Sequence, residues 1–143
     1  MGVVKVSAVT WGEFDEDESK TCLDTAHIDE RFMIEEGDFL FSRANTIALV
    51  GACVIVRRIT RKLMLSDKIL RLHFEKNFQD WILYCLRSHI GRMDIERLAT
   101  GNQESMRNIA QENIRRIRIP LPPLAEQEQI VAEVERRLSV VSE

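Results

Sequence analysis

Arg43 and Asn45 stand two apart in the segment Ser42-Arg43-Ala44-Asn45-Thr46. Their side chains are the pair best equipped to read the edge of a nucleobase. A guanidinium gives parallel hydrogen bonds to guanine O6 and N7, and a carboxamide does the equivalent at adenine N6 and N7. The other reading is structural, because Asn suits turns and an Arg just past a strand braces the loop that carries it. A second polar run, Gly101 to Asn108, opens on the turn signal Gly-Asn. It gathers Gln103, Ser105, Arg107 and Asn108, donors and acceptors suited to phosphates, sugars or base edges. Ser105 and Asn108 do not make the Ser-x-x-Glu pattern of a capping box, so helix capping has no special support there. Arg57, Arg58, Arg61 and Lys62 form a third group between two apolar runs. They are expected on a hairpin, either gripping phosphate or serving only as the surface charge that keeps strand edges apart. Arg115, Arg116 and Arg118, beside Pro120, face either an anion or an acidic helix.

The residues of catalysis are not assembled in the same way. His27, His73 and His89 lie far apart, without Cys or carboxylate at ligand spacing. Cys22, Cys53 and Cys85 are odd in number and widely spaced with no CxxC, which disfavours both a disulfide framework and a zinc site. There is no glycine-rich GxGxxG loop, no P-loop, no HExxH and no GxSxG elbow. Glu18-Ser19-Lys20 resembles a nuclease fragment but sits in an acidic run without the strand that would hold a metal. The expectation is a protein that binds rather than makes or breaks bonds, with no catalytic residue, no metal and no cofactor. The absence of an apolar run near ~20 residues and of a basic-then-apolar leader reads as cytoplasmic, with no membrane partner.

Charge is segregated along the chain. Residues 1–40 hold 3 basic and 11 acidic residues, residues 41–118 hold 15 and 7, and residues 119–143 hold 2 and 5. The basic middle suits a surface that displaces counterions from a polyanion, unless the acidic parts neutralise it in space.

These groups need a frame. The 143 residues suit one domain, and 45% apolar residues supply a core. Val3 to Thr10, Ile28 to Ile34, Asp38 to Ser42, Ala48 to Arg57, Lys62 to Leu65 and Lys68 to Phe74 read as strands, with a turn at Glu36-Gly37 and an acidic loop at Glu13 to Lys20. Phe78, Ile82, Leu83, Leu86 and Ile90 fall at helical spacing, predicting a helix from Asn77 to about Ala99 with a break near Gly91. Trp81 and Tyr84 belong to its packing face. Gln111 to Arg115 suits a short helix, and Arg116 to Ile119 a strand that Pro120 ends. Strands first and helices after argue an α+β fold. Beyond Pro122-Pro123, Leu124, Gln127, Val131, Val134, Leu138 and Val141 alternate by threes and fours, the seam of a coiled-coil helix that wants a partner.

Three blocks, Gly37 to Gly51 (GDFLFSRANTIALVG), Gly101 to Ile109 (GNQESMRNI) and Ile119 to Glu135 (IPLPPLAEQEQIVAEVE), resemble the DNA specificity subunit of type I restriction-modification systems. The linking segments KVSAVTWGEF and LSDKILRL are also similar to it, so the resemblance spans nearly the whole chain. It implies a mixed-sheet target recognition domain over residues 1–120, incomplete at its N-terminus, and a conserved assembly or spacer helix over 121–143. A full subunit of the family has two such units, so the chain is expected to be a fragment or half-subunit. The resemblance further implies recognition of one half of a bipartite double-stranded DNA target. Implied partners are methyltransferase and restriction subunits and a second specificity helix or a homodimer. Because members that read different targets share the first two blocks, it favours a scaffold or backbone-contact role for Arg43, Asn45 and Thr46 and for Gln103 to Asn108. The alternative is a truncated interaction module that dimerises or binds methyltransferase subunits without binding DNA.

Overall fold

The computed structural model describes residues 1–22, 26 and 28–142, without the side chains of residues 76 and 140–142. His27 and the Val141 side chain therefore lie outside the described residues. Strand β3 (Phe39–Ser42) runs through the middle of the molecule, buried at all four positions, between antiparallel β5 (Cys53–Ile55) and β7 (Ile69–Leu72). Strand side chains alternate between faces. Phe39 and Phe41, with Cys53 and Ile55, point to one apolar cluster, while Leu40 and Val54 point to a second cluster containing Val4, Val9, Ile34, Leu63 and Ile69. Burial on both faces is why these runs read as continuously apolar in the sequence rather than as alternating.

The second cluster is covered by β1 (Gly2–Val4), paired antiparallel to β2 (Ser19–Thr21) and parallel to β6 (Leu63–Met64). The first is covered by α1 (Gln79–Arg87) and α2 (His89–Leu98), which contribute Ile82, Leu83, Leu86, Ile95 and Leu98. A third sheet joins β4 (Ala44–Asn45), β9 (Met106–Asn108) and β8 (Thr100–Gln103) in the order β4-β9-β8. Then come α3 (Gln111–Ile114) and α4 (Leu124–Ser142). The architecture is α+β, and no helix among the described residues is long and apolar enough to cross a membrane.

Several elements differ from the sequence expectation. Only the start of Val3 to Thr10 is strand, and Val6–Ala8 coils into a 3-10 turn. Ser19 and Lys20, expected in a loop, pair with β1. The Ile28 to Ile34 segment is bent by another 3-10 turn, because Asp29 accepts the Arg31 N–H at 2.9 Å and caps Glu30–Phe32. Arg116 to Ile119 is not a strand, and Asp94 Oδ2 accepts the Arg118 N–H at 2.9 Å instead. The turn at Glu36-Gly37 forms as expected, with Gly37 at φ +90° and the Glu35 N–H donating to Asp38 Oδ2.

The predicted helix breaks at Ser88, three residues before Gly91. Ser88 is extended and its Oγ accepts the Gly91 N–H at 3.2 Å, capping α2. Gly91 is buried against the end of α1, where an added Cβ would lie 2.1 Å from the Cys85 carbonyl oxygen. The two helices turn on each other only because nothing occupies that space. Two arginines then lash loops to this pair. Arg87 donates to the carbonyls of Gly12 and Cys53. Arg92 donates to those of Ile47, Ala48 and Val50 and lies 4.4 Å from the Trp11 ring centroid. Burial lowers the Arg92 pKa, while it pushes the Cys53 thiol up to about 12 and the Cys85 thiol up to about 11, which disfavours the thiolate in both.

Gly91→Ala is expected to cost roughly 2–3 kcal/mol through the forced separation of the helices, read as a lower urea midpoint with the slope unchanged. Asp94 supplies a pH effect. Its carboxylate is held below the usual range first by the Arg118 N–H and then by the Arg97 guanidinium. A depressed folded pKa stabilises above the unfolded value, about 4, and that contribution is lost as pH falls through the folded value. Asp94→Asn should therefore lower the urea midpoint at pH 6 by more than at pH 2. An equal difference at both pH values would remove Asp94 from the account.

Candidate nucleic-acid interface

The two polar blocks of the sequence meet in space. β4 pairs with β9 in the register Ala44 to Asn108 and Asn45 to Arg107. Residues directly opposite in an antiparallel pair share a face. Asn45 and Arg107 therefore stand side by side, while Asn108 shares the other face with buried Ala44. The Arg107 Nε is buried, with no hydrogen-bond partner among the described residues. Gly101 to Met106 is exposed throughout, with Gln103 opposite Met106 and the tip at Glu104-Ser105. The Glu104 carbonyl accepts the Ile47 N–H at 2.7 Å, which ties the tip to the loop after β4. The expected polar loop is thus the hairpin of this fold.

Arg43 holds this arrangement rather than extending from it. Its N–H donates to the Lys68 carbonyl at 3.0 Å, its own carbonyl accepts the Ile109 N–H at 2.9 Å, and its Nε donates to the Asp67 carbonyl. Asn45 Oδ1 accepts the Thr46 N–H at 2.8 Å, and the Thr46 carbonyl accepts from Leu49 and Val50 as the turn begins. The Asn45 carboxamide keeps its NH2 for other partners.

Arg57, Arg58, Arg61 and Lys62 do not form a hairpin. β5 belongs to the central sheet and β6 to the N-terminal one, so the connection passes between layers. The acidic run at Glu13 to Glu18 lies against it. Arg61 pairs with Asp17 at 2.7 Å and Glu16 at 3.9 Å, and Arg57 pairs with Asp80 on α1. Glu16 is held below the usual carboxylate range first by the Thr60 hydroxyl, then by the Thr60 N–H and by Arg61 and Arg58. Arg115, Arg116 and Arg118 are exposed beside α3.

Local pattern did not single out one groove, of about 610 Å³, which borders Asn45 and is lined by Lys5, Lys20, Ser66, Asp67 and Lys68. Its cations come from three separated segments, so no sequence window contains the signal. Among the described residues no group of three His, Cys, Asp or Glu is placed to hold a metal.

The helix seam divides. Gln127 is 3% exposed, its Nε2 donating to the Pro122 carbonyl at 2.7 Å while Oε1 is buried without a partner among the described residues. Val131 packs on the helix-side cluster, Val134 is half-buried, and the Tyr84 hydroxyl donates to Glu135 at 3.4 Å. Leu124 and Leu138 are exposed. α1 has 9 residues and α4 has 19, about 14 Å against about 28 Å, and the α1 side chains meet α4 as far along as Glu135.

Comparison with known proteins bears on the whole of this surface. Residues 11–136 match the model of the type I restriction modification DNA specificity domain. The chain is 35% identical over 136 residues to the type I restriction enzyme EcoEI specificity subunit of Escherichia coli, covering 94% of this chain and 23% of that protein. It is 23% identical over 136 residues to the EcoKI specificity subunit of E. coli strain K12, covering 94% of this chain and 29% of that protein. It thus spans about a quarter of the length of these relatives. With the match running from the N-terminal loop through both polar blocks and into α4, the chain belongs to the type I restriction-modification DNA specificity domain family.

Proposed function

We propose that the chain is a DNA recognition unit that binds one half of a bipartite double-stranded target and docks methyltransferase subunits, and through them restriction subunits, onto it. The observation that carries this reading is the β4-β9 pairing, which brings Asn45 and Arg107 to one face of a small sheet whose hairpin end exposes Gln103 and Ser105. A guanidinium beside a carboxamide matches the donor and acceptor demands of a groove edge, and the hairpin can reach into one. Arg43 and Thr46 serve as braces, with Asn108 beneath the sheet. Arg58 and Lys62 have no carboxylate within ion-pair distance among the described residues, so they are the members of their loop best placed to add phosphate contacts. Family membership supports DNA recognition in general, and the chemistry of methylation and cleavage belongs to the partners.

The unmodified chain should bind duplex DNA with log K falling as log salt rises. Arg107→Ala should lower affinity by roughly 1–3 kcal/mol, measured by fluorescence anisotropy. Absence of any duplex binding at low salt would instead favour the pure interaction module.

The distal half of α4 is proposed to pair antiparallel with a second such helix, in the complete assembly or in a homodimer of this chain. Such pairing would fix the distance between two recognition units. Sedimentation should show a dimer of the unmodified chain at high concentration and a monomer for Val134→Asp with Leu138→Asp. A monomeric unmodified chain excludes the homodimer, and a double variant that still dimerises places the contact elsewhere.

A further inference from the structure

We infer that the groove lined by Lys5, Lys20, Asn45, Ser66 and Lys68 holds the sugar-phosphate backbone of the bound duplex, with Lys20 and Lys68 as its principal phosphate contacts. The inference rests on the proposed DNA recognition and deepens it, by assigning the positioning contacts to a surface other than the cation-rich loop at Arg57 to Lys62.

Four observations converge. First, the groove has the right charge: Lys5, Lys20 and Lys68 against the single lining carboxylate of Asp67. Lys5 is engaged loosely by Glu18 at 3.9 Å, whereas Lys20 and Lys68 have no carboxylate within ion-pair distance among the described residues. A cation already paired with a protein carboxylate releases fewer counterions when it meets a phosphate, so unpaired lysines contribute more of the salt-dependent affinity. Second, the groove carries polar capacity that the fold does not use. Among the described residues the Asn45 NH2 has no hydrogen-bond partner, and as a donor it suits an oxygen of a phosphodiester.

Third, the cations are held by the framework. Lys20 lies opposite Val3 in the β1-β2 ladder, and Val3 lines the same groove. Lys68 follows Asp67 in a turn whose two carbonyls accept from Arg43. Fourth, Asn45 belongs both to this groove and to the face it shares with Arg107. The backbone track and the base-reading face are therefore continuous, as a module needs if its phosphate contacts are to set the register in which bases are read.

The test compares the full chain with Lys20→Ala/Lys68→Ala and Lys20→Arg/Lys68→Arg on a cognate and an unrelated duplex, by anisotropy from 50 to 200 mM salt. Circular dichroism confirms that each variant is folded. The alanine pair should weaken binding to both duplexes by a similar factor and reduce the magnitude of the log K against log salt slope by about 1.8, at ~0.9 per phosphate contact. The arginine pair should restore the slope. An alanine pair with the unmodified slope overturns the groove while leaving DNA recognition standing. An unmodified chain that binds neither duplex at any salt overturns DNA recognition, and the groove with it. Loss on the cognate duplex alone, at constant slope, makes the lysines base readers and also overturns the inference.

Discussion

The face shared by Asn45 and Arg107 depends on one residue that serves two hydrogen-bond ladders. Where the chain leaves β3, the Arg43 N–H closes the β3-β7 ladder on Lys68 and its carbonyl opens the β4-β9 ladder on Ile109. A two-residue strand is marginal by itself. β4 persists because it continues a fully buried strand and because Ala44 and Ile109 are themselves buried on either side of the junction. Buried backbone polar groups have to be paired, so the small sheet cannot open without leaving core donors unsatisfied. Asn45 and Arg107 thereby inherit the rigidity of Phe39 to Ser42.

The charge of the molecule has the same logic. Fifteen cations in the central segment look like one basic face, yet structure sorts them by what they touch. Arg87 and Arg92 end in backbone carbonyls and act as lashings, and Arg57, Arg61, Arg71 and Arg97 face carboxylates. In the cationic loop, Glu16 and Asp17 pair with Arg61 and Asp80 pairs with Arg57, so total charge overstates the surface available to a polyanion. Of the rest, Arg107 is placed by β9, while Arg58, Lys62, Lys68, Arg115, Arg116 and Arg118 lie outside the strands.

How far this was legible in the sequence follows from the range of the forces involved. Doubly buried strands, the turn at Gly37, the helix break and the α4 periodicity are local signals and were readable. The Ile28 to Ile34 segment misled because an Asp cap at Asp29 competes with extended structure, a choice that apolar pattern does not register. The cationic connection looked like a hairpin because adjacent strands usually pair, whereas here they enter different sheets. The two polar blocks were visible separately. That Asn45 faces Arg107, 62 positions later, is a tertiary fact, as is the groove assembled from Lys5, Lys20 and Lys68.

The join between the globular body and α4 sets how the proposed recognition surface is oriented relative to the proposed assembly helix. Trp81 Nε1 donates to the Pro120 carbonyl at 2.7 Å and Gln127 Nε2 to that of Pro122. Two carbonyls of a segment that regular structure leaves free are thus satisfied by side chains of α1 and α4. The proline-rich stretch is fixed at both ends, and its rings restrict φ between them. Burying Gln127 with Oε1 unpaired costs free energy that an apolar residue would not. A polar group at a helical contact penalises displaced registers that would strand both of its polar atoms, the specificity role of such residues in coiled coils. Val131 and the Tyr84 to Glu135 contact continue the seam for as long as α1 lasts. The direction in which α4 leaves the body is therefore set by the same helix that packs on Phe39 and Phe41, so the orientation of the β4-β9-β8 face relative to the helix is a property of the core and not of a flexible linker.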